Sequence, residues 1–354
     1  MHVGKHKNET VDWKWGGDSL KETTKYKYLG DIITADGKND ENIQARKAKT
    51  HATTVTLNTI ASSDILHRIE TAVLLILHES KIISSLLTNA ESWCLRKKDE
   101  EELEKIEIQA MKYVFDLPIH MPTAAIIYSF GLLYTTQRID QIQLVYLHKI
   151  IQKESDDQIR KTLEHLKERN IGCCKKILAT LEKYHLTTDF DVIREISPYR
   201  WKNMVSFALE QKNTERLNNN LYKIENGQRV PKTKTRSIAI TMSESVYTRK
   251  PDPTILQTKQ ITKTILIARY GMLDCGNNFK GKGGANCVTC NKVDDENHRL
   301  NESPKWINVD IDERIDFDLI YCTDIEKIHP VLTRINQLWN TNVPMALCIT
   351  NPKQ

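Results

Sequence analysis

Residues 99–115 read DEEELEKIEIQAMKYVF, and this stretch decides the fold class. Leu103, Ile106, Ala110, Met111, Val114 and Phe115 fall at offsets 0, 3, 7, 8, 11 and 12, which places them along one face of a 3.6-residue helix. Asp99 and Glu102 have the spacing of a capping box at its start. Pro118 marks its end, because proline can neither donate to a helical ladder nor follow a helical residue comfortably.

Working upstream, the same periodicity recurs twice. Asn39 or Asp40 is placed to cap a helix with Ile43, Ala48, Ala52, Val55 and Ile60 on one side. Ser62, Ser63 and Asp64 offer a second start before Ile65, Ile69, Ala72, Val73, Ile76, Ile83 and Leu87. Three amphipathic helices in succession are expected to bury their stripes against one another. The first forty residues read differently. Val11, Trp13 and Trp15 alternate with polar residues before Gly16-Gly17, and Tyr26, Tyr28, Leu29, Ile32 and Ile33 precede Asp36-Gly37. This pattern predicts a short N-terminal β hairpin, which needs a partner surface to be stable.

Downstream, Ile139, Ile142, Tyr146 and Ile150 form one helical stripe. Ile159, Leu163 and Leu166 form another, stopped near Asn170 and Gly172. Trp201, Val205, Ala208 and Leu209 open a helix that ends by Gly227. Residues 228–254 carry few large apolar residues and three prolines, and read as a basic linker or mobile loop. Helices are expected from about Leu256 to Arg269 and from Asp324 to Trp339. The fold class is therefore mainly α: an N-terminal hairpin, a three-helix bundle, further helices and a small irregular Cys-containing segment. The expected divisions are 1–38, 39–120, 121–270, 271–306 and 307–354.

The 354 residues are 40% hydrophobic and 27% charged, with 13 glycines and 10 prolines. That balance excludes collagen-like and low-complexity chains and favours long helices over a many-turned β sandwich. The longest apolar run is Ala72 to Leu77, far short of the ~20 residues a bilayer span requires. The start at Met1 lacks a signal-peptide core, so the eight cysteines are expected in a reducing compartment, nuclear or cytoplasmic. Net charge is only +5, but it is unevenly spread. Residues 211–270 hold twelve Lys/Arg against four Asp/Glu, whereas residues 291–330 hold five against eleven. The basic stretch, with Lys232, Lys234 and Arg236 at its centre, is suited to neutralising phosphates; the alternative is a solvated helix face and linker.

The most specific local motif is Cys287-Val288-Thr289-Cys290 followed by His298. Two thiolates on one tight turn and an imidazole across a short loop supply three of the four ligands of tetrahedral zinc. Ser303 stands where a fourth cysteine would complete the set, with Glu302 and Cys275 as nearby substitutes. The alternative is two free thiols. A redox CxxC would need a strand-to-helix context that is missing. Cys173-Cys174 read as inert, and Cys94, Cys322 and Cys348 as core. Asp156-Asp157 suits a helix start, and Asp294-Asp295-Glu296 lies inside the Cys–His loop. No phosphate-cradling Gly-x-x-x-x-Gly-Lys-Ser/Thr loop, Gly-x-Ser-x-Gly elbow or His-Glu-x-x-His motif occurs. The scattered histidines, His51, His67, His78, His120, His148, His165, His185 and His329, read as structural.

Several of these pieces occur in an order that resembles the C-terminal part of LINE-type (non-long-terminal-repeat) retrotransposon reverse transcriptases. Tyr28-Leu29-Gly30, Ile32-Ile33, Asp36-Gly37, Glu41-Asn42-Ile43 and Arg46 resemble the end of the palm with its primer grip and the first thumb helix. Ala90-Glu91-Ser92-Trp93 with Leu95 to Asp99 resembles the Tyr-Gly-x-Glu-x-Trp segment and the helix after it, with Thr88 and Asn89 in place of Tyr-Gly. Leu117-Pro118, Pro122 to Ala125, Gly131 to Leu133 and Arg138-Ile139 resemble the helical region that follows. Cys287, Cys290, His298 and Ser303-Pro304 resemble a Cys₂HisCys knuckle whose last cysteine is lost. The resemblance runs from about residue 10 to 306.

The resemblance implies a primer-grip remnant at 1–38, a thumb-like bundle at 39–120, a helical connector at 121–270, a degenerate zinc knuckle at 271–306 and an acidic tail at 307–354. In that family the catalytic aspartates lie upstream of the Tyr-Leu-Gly turn, and the endonuclease domain lies further upstream still. The chain is therefore expected to lack the magnesium site, to bind nucleic acid and not to polymerise it. Tyr28, Leu29, Gly30 and Arg46 are the expected grip residues, and Cys287, Cys290 and His298 the expected zinc ligands. Trp13, Trp15 and Tyr28 are candidates for base stacking, although buried packing is the expectation for all three. The alternatives are a non-enzymatic zinc-knuckle module that binds RNA or DNA, and a helical scaffold for protein partners.

Overall fold

The computed structural model describes residues 14–19, 23–61, 70–225, 228–231, 250–270, 272–273, 286, 290, 292–293, 296–302, 316–321 and 324–339. The chain is mainly helical, as the periodicities predict, with three separate two-stranded antiparallel ladders among the described residues. Strands β1 (Lys14–Trp15) and β2 (Asp18–Ser19) flank Gly16-Gly17. Strands β3 (Lys25–Tyr28) and β4 (Asp31–Thr34) form the second hairpin, with Tyr26 opposite Ile33 and Tyr28 opposite Asp31. Its two-residue turn is Leu29-Gly30, both at positive φ (47° and 94°). A turn of that kind matches the twist of the flanking strands and favours glycine at its second position.

Helix α1 (Asp40–Ala61) starts where the sequence expects it, with Asp40 and Glu41 in the positively polarised first turn. The proposed restart at Ser62-Ser63-Asp64 lies outside the described residues. The chain is helical again as α2 (Thr71–Leu77), widens to a π turn over His78–Ile83, and closes as α3 (Ser84–Leu86). Helix α4 (Lys97–Val114) carries the stripe that opened the sequence reading, and Leu103, Met111, Val114 and Phe115 are all buried. Its cap differs from the expectation. Asp99 lies inside the first turn, and its carboxylate accepts from the Arg96 backbone N–H and from the Arg96 guanidinium. Glu102 faces Lys47 instead, at 2.9 Å.

Helices α5 (Thr123–Ser129), α6 (Thr135–Ile151), α7 (Gln158–Glu168), α8 (Gly172–Lys183), α9 (Phe190–Glu195) and α10 (Pro198–Leu221) follow. The stop at Asn170 and Gly172 is real, since both have positive φ (50° and 62°), but it opens α8 directly. Strands β5 (Tyr222–Glu225) and β6 (Gln228–Pro231) come after α10. The linker expected over 228–254 is therefore shorter than the sequence suggests. Residues 228–231 pair as a strand, and Asp252 donates its backbone N–H to the Ser129 carbonyl. A helical turn at Pro253–Ile255, α11 (Lys259–Arg269), α12 (Glu296–Asn301), a turn at Phe317–Tyr321 and α13 (Ile325–Trp339) complete the order.

Two compact units emerge. The first comprises Met1–Thr56, Glu79–Ala110 and Tyr134–Gln211; the second comprises Leu57–His78, Met111–Leu133 and Lys212–Gln354. The first unit has two apolar clusters. One joins Ile43 of α1 to Leu86, Trp93, Leu103, Ile106 and Ile139. The other gathers Leu144, Leu163, Leu181, Ile193, Trp201 and Val205 from α6 to α10. Trp201 is 1% exposed, and its indole N–H donates to the Leu144 carbonyl at 2.9 Å, so its one polar atom is satisfied inside the core. In the second unit α11, α13 and the Phe317–Tyr321 turn pack together. Arg269 ties that unit internally, donating to Asp252 and to the Ile320 carbonyl.

Candidate nucleic-acid interface

The Tyr28-Leu29-Gly30 turn is fixed from below and open above. Beneath it, Arg46 of α1 donates to Asp31 Oδ1 at 2.5 Å and to the Gly30 carbonyl at 3.4 Å. Its other terminal nitrogen reaches the Ser85 carbonyl at 3.3 Å, and the guanidinium lies 5.7 Å from the Trp93 ring centre. Asn42, one helical turn earlier, donates to Asp31 Oδ1 at 3.2 Å and accepts from the Ile32 backbone N–H at 3.4 Å. Asn89 donates to the Leu29 carbonyl at 3.0 Å from a left-handed backbone position. A planar five-donor guanidinium is suited to this task, because it holds a carboxylate and two carbonyls at once.

Above, the hairpin presents apolar side chains to solvent. Tyr28 is 56% exposed and Leu29 76% exposed, which corrects the expectation that Tyr28 packs inside. Tyr26 and its cross-strand neighbour Ile33 are exposed as well, on the same face as Tyr28. The reason is position: all four residues of β3 are exposed, and the inward contacts are made by β4, through Asp31 and the buried Thr34. Lys25 pairs with Glu41 at 3.3 Å, and Lys27 is exposed on the opposite face of β3.

The expected grip residues are therefore brought together, but not in equal roles. Tyr28 and Leu29 are exposed at the tip. Gly30 makes the turn. Arg46 is buried at 4% exposure and occupied by Asp31, so it positions the turn and does not reach a phosphate. Asp31, Asn42 and Asn89 complete the clamp and were missed in sequence. The available signal was the i, i+4 pair Asn42 and Arg46 following a turn. Lys232, Lys234 and Arg236 lie outside the described residues.

The Cys–His segment is partly described. An antiparallel bridge joins Asn286 to Val293, bracketing the CxxC. Cys290 Sγ lies 3.3 Å from His298 Nε2, so a thiol and an imidazole converge, while Cys287 lies outside the described residues. Glu302 faces His298 from the side away from Cys290. Its Oε2 sits 3.6 Å from the other imidazole nitrogen, Nδ1, and 2.7 Å from Lys292 Nζ. The Lys292 hydrogen bond holds the Glu302 carboxyl below its ordinary range, so it stays ionised beside Nδ1. This is the arrangement in which a carboxylate orients a metal-binding histidine from behind. Cys290 and His298 fit zinc, which would lock the loop onto α12. No group of three or more His, Cys, Asp or Glu placed to hold a metal occurs among the described residues.

The other cysteines divide. Cys174 is buried, and burial pushes its thiol up, away from reactivity. Cys94 is exposed, against expectation. It lies in a non-helical segment between buried Trp93 and Leu95, and alternation turns it outward. Cys322 and Cys348 lie outside the described residues. Asp157 caps α7 by accepting from the backbone N–H groups of Ile159 and Arg160. No helix among the described residues is long and apolar enough to cross a membrane.

In comparisons with protein-family models, curated proteins and solved structures, nothing matches the chain.

Proposed function

We propose that the chain grips nucleic acid with the tip of the β3–β4 hairpin, in the manner of the C-terminal region of a LINE-type reverse transcriptase. The observation that carries this reading is the contrast within one turn. The backbone of Leu29 and Gly30 is tied down by Asn89 and Arg46, while Tyr28 and Leu29 stand in solvent. A preorganised aromatic and aliphatic pair loses little conformational freedom on contact with a base or sugar. The ordered motif set from Tyr28 to His298 supports the same reading. Binding, and no polymerase step, is assigned to these residues. Cys290 and His298, with Cys287, would hold zinc as a structural element of the same nuclear or cytoplasmic protein.

The test is fluorescence anisotropy of the full chain on a labelled RNA–DNA primer–template at about 50 and 200 mM salt. Wild type should bind with steep salt dependence. The Tyr28→Ala/Leu29→Ala double variant should lose about tenfold in affinity with its thermal midpoint unchanged, since both side chains are exposed. Salt-insensitive binding, or equal affinity of variant and wild type, would refute the reading and leave a protein-docking surface in its place.

A further inference from the structure

Helix α10 carries two ridges of like character. Trp201, Val205 and Leu209 lie at i, i+4 and i+8 and are buried in the core. Tyr199, Asn203 and Phe207 repeat that spacing about 200° round the axis. Tyr199 is 78% exposed and Phe207 62% exposed. The ridge stands on a rigid support, because the opposite side of the same turns is locked by the Trp201 indole and its bond to Leu144.

Charge decides what such a ridge suits. Between Ile196 and Leu209 the only charged side chains are Arg200 and Lys202. Both are exposed, and neither makes an ion pair with another described residue. Glu195 and Glu210 lie just outside this stretch. Exposed aromatics interleaved with cations that pair with no described residue are complementary to a polyanion with accessible ring faces, with Glu195 and Glu210 marking the two ends of the face. Bases in a duplex are already stacked and cannot offer those faces, whereas a single strand can. Tyr199 and Phe207 are about 12 Å apart along the helix, or three to four steps at ~3.4 Å per stacked nucleotide.

We infer that the outer ridge of α10 is a docking face for single-stranded nucleic acid, with bases stacking on Tyr199 and Phe207 and phosphates meeting Arg200 and Lys202. The inference rests on the nucleic-acid reading above and adds a second surface and a strand state.

The test uses the full chain with labelled oligouridylate and with a blunt duplex of equal length. Tyr199→Ala/Phe207→Ala should weaken oligouridylate binding about tenfold or more, leave duplex affinity unchanged and keep the thermal midpoint. The stacking-competent variant Tyr199→Trp/Phe207→Tyr should retain oligouridylate affinity. Unchanged oligouridylate affinity in the alanine variant would overturn the inference, as would equal losses on both probes. So would a wild-type dimer that the alanine variant dissociates in sedimentation, because the ridge would then be covered by a second copy. The two proposals fail separately. Duplex binding that depends on Tyr28 and Leu29, without oligouridylate binding, removes only the α10 face. Oligouridylate binding that depends on Tyr199 and Phe207, with no effect of the hairpin variant, removes only the hairpin grip.

Discussion

Arg46 meets Asp31 at 2.5 Å with both side chains largely out of solvent, and through this pair α1 fixes the tip of the β3–β4 hairpin. Two strands of four residues have little stability of their own in water. Here the hairpin is stable because its turn carbonyls and its one inward carboxylate end on side chains of α1 and of the turn residue Asn89. Removing the guanidinium leaves Asp31 half-buried and the Gly30 carbonyl without that donor. Arg46→Met should therefore cost about 2–3 kcal/mol in urea unfolding, somewhat less than a fully buried pair. Arg46→Lys should recover only part of the loss, because an ammonium cannot reproduce the fork. A loss below about 0.5 kcal/mol for Arg46→Met would show that the hairpin is held by other contacts.

Gly131 has φ +63°, and a Cβ at that position would meet the Lys250 carbonyl carbon at 2.5 Å and its oxygen at 2.6 Å. The obstacle is backbone, which cannot swing aside as a side chain can. Gly131→Ala combines left-handed strain with this clash and should destabilise the chain by about 2 kcal/mol or more. The check is chemical denaturation, with limited proteolysis near Lys250 to report release of that segment.

Glu107 is fully buried in the first unit, bonded by the Thr135 hydroxyl, with Arg138 Nε 3.8 Å away. Burial pushes its carboxyl above the ordinary range, and Arg138 and Thr135 only partly oppose that. The sign follows from linkage. A carboxyl whose folded pKa is raised binds its proton more readily in the native state. Its penalty is complete above the folded pKa and is relieved as pH falls through that value toward the unfolded one. Glu107→Gln should therefore flatten the pH dependence of the thermal midpoint above the ordinary carboxylate range, by removing a gain on acidification. An unchanged profile would show that Glu107 is ionised throughout.

Glu302 stands behind His298, and the proposed zinc site gives it a measurable role. Cys290→Ser should abolish high-affinity zinc binding, and Glu302→Gln should weaken it about tenfold without removing it. Zinc titration against a colorimetric chelator measures both. Equal affinity of wild type and Glu302→Gln would show that the carboxylate pairs with Lys292 alone.

Long elements were legible in the sequence because their signal is averaged over many turns. The stripe from Leu103 to Phe115 places α4, and Ile139 to Ile150 places α6. Short elements were not. Helices α5 and α9 span under two turns, too few to show a period, and α8 follows a positive-φ stop that reads as an ending. Of the proposed interface, Tyr28, Leu29, Gly30 and Arg46 were singled out through the family resemblance, but which of them face water was not legible. An arginine near a turn is the same letter whether it faces a phosphate or a buried carboxylate.

The sequence by itself determined the helical class, the start of α1 and the stripe of α4, because each depends on neighbours a few residues apart; it read Tyr26 to Ile33 as one stretch, which the Leu29-Gly30 turn divides into β3 and β4. Tertiary structure decided which side chains face water. Arg46 turned inward because Asp31 and Ser85, at separations of 15 and 39 residues, offered it acceptors. Tyr28 was left outside, and Glu302 settled behind His298 rather than beside Cys290. Arg46's partners lie far off in the chain, and the other two outcomes depend on which side of a turn or short helix faces the packed interior, which a residue pattern alone does not record.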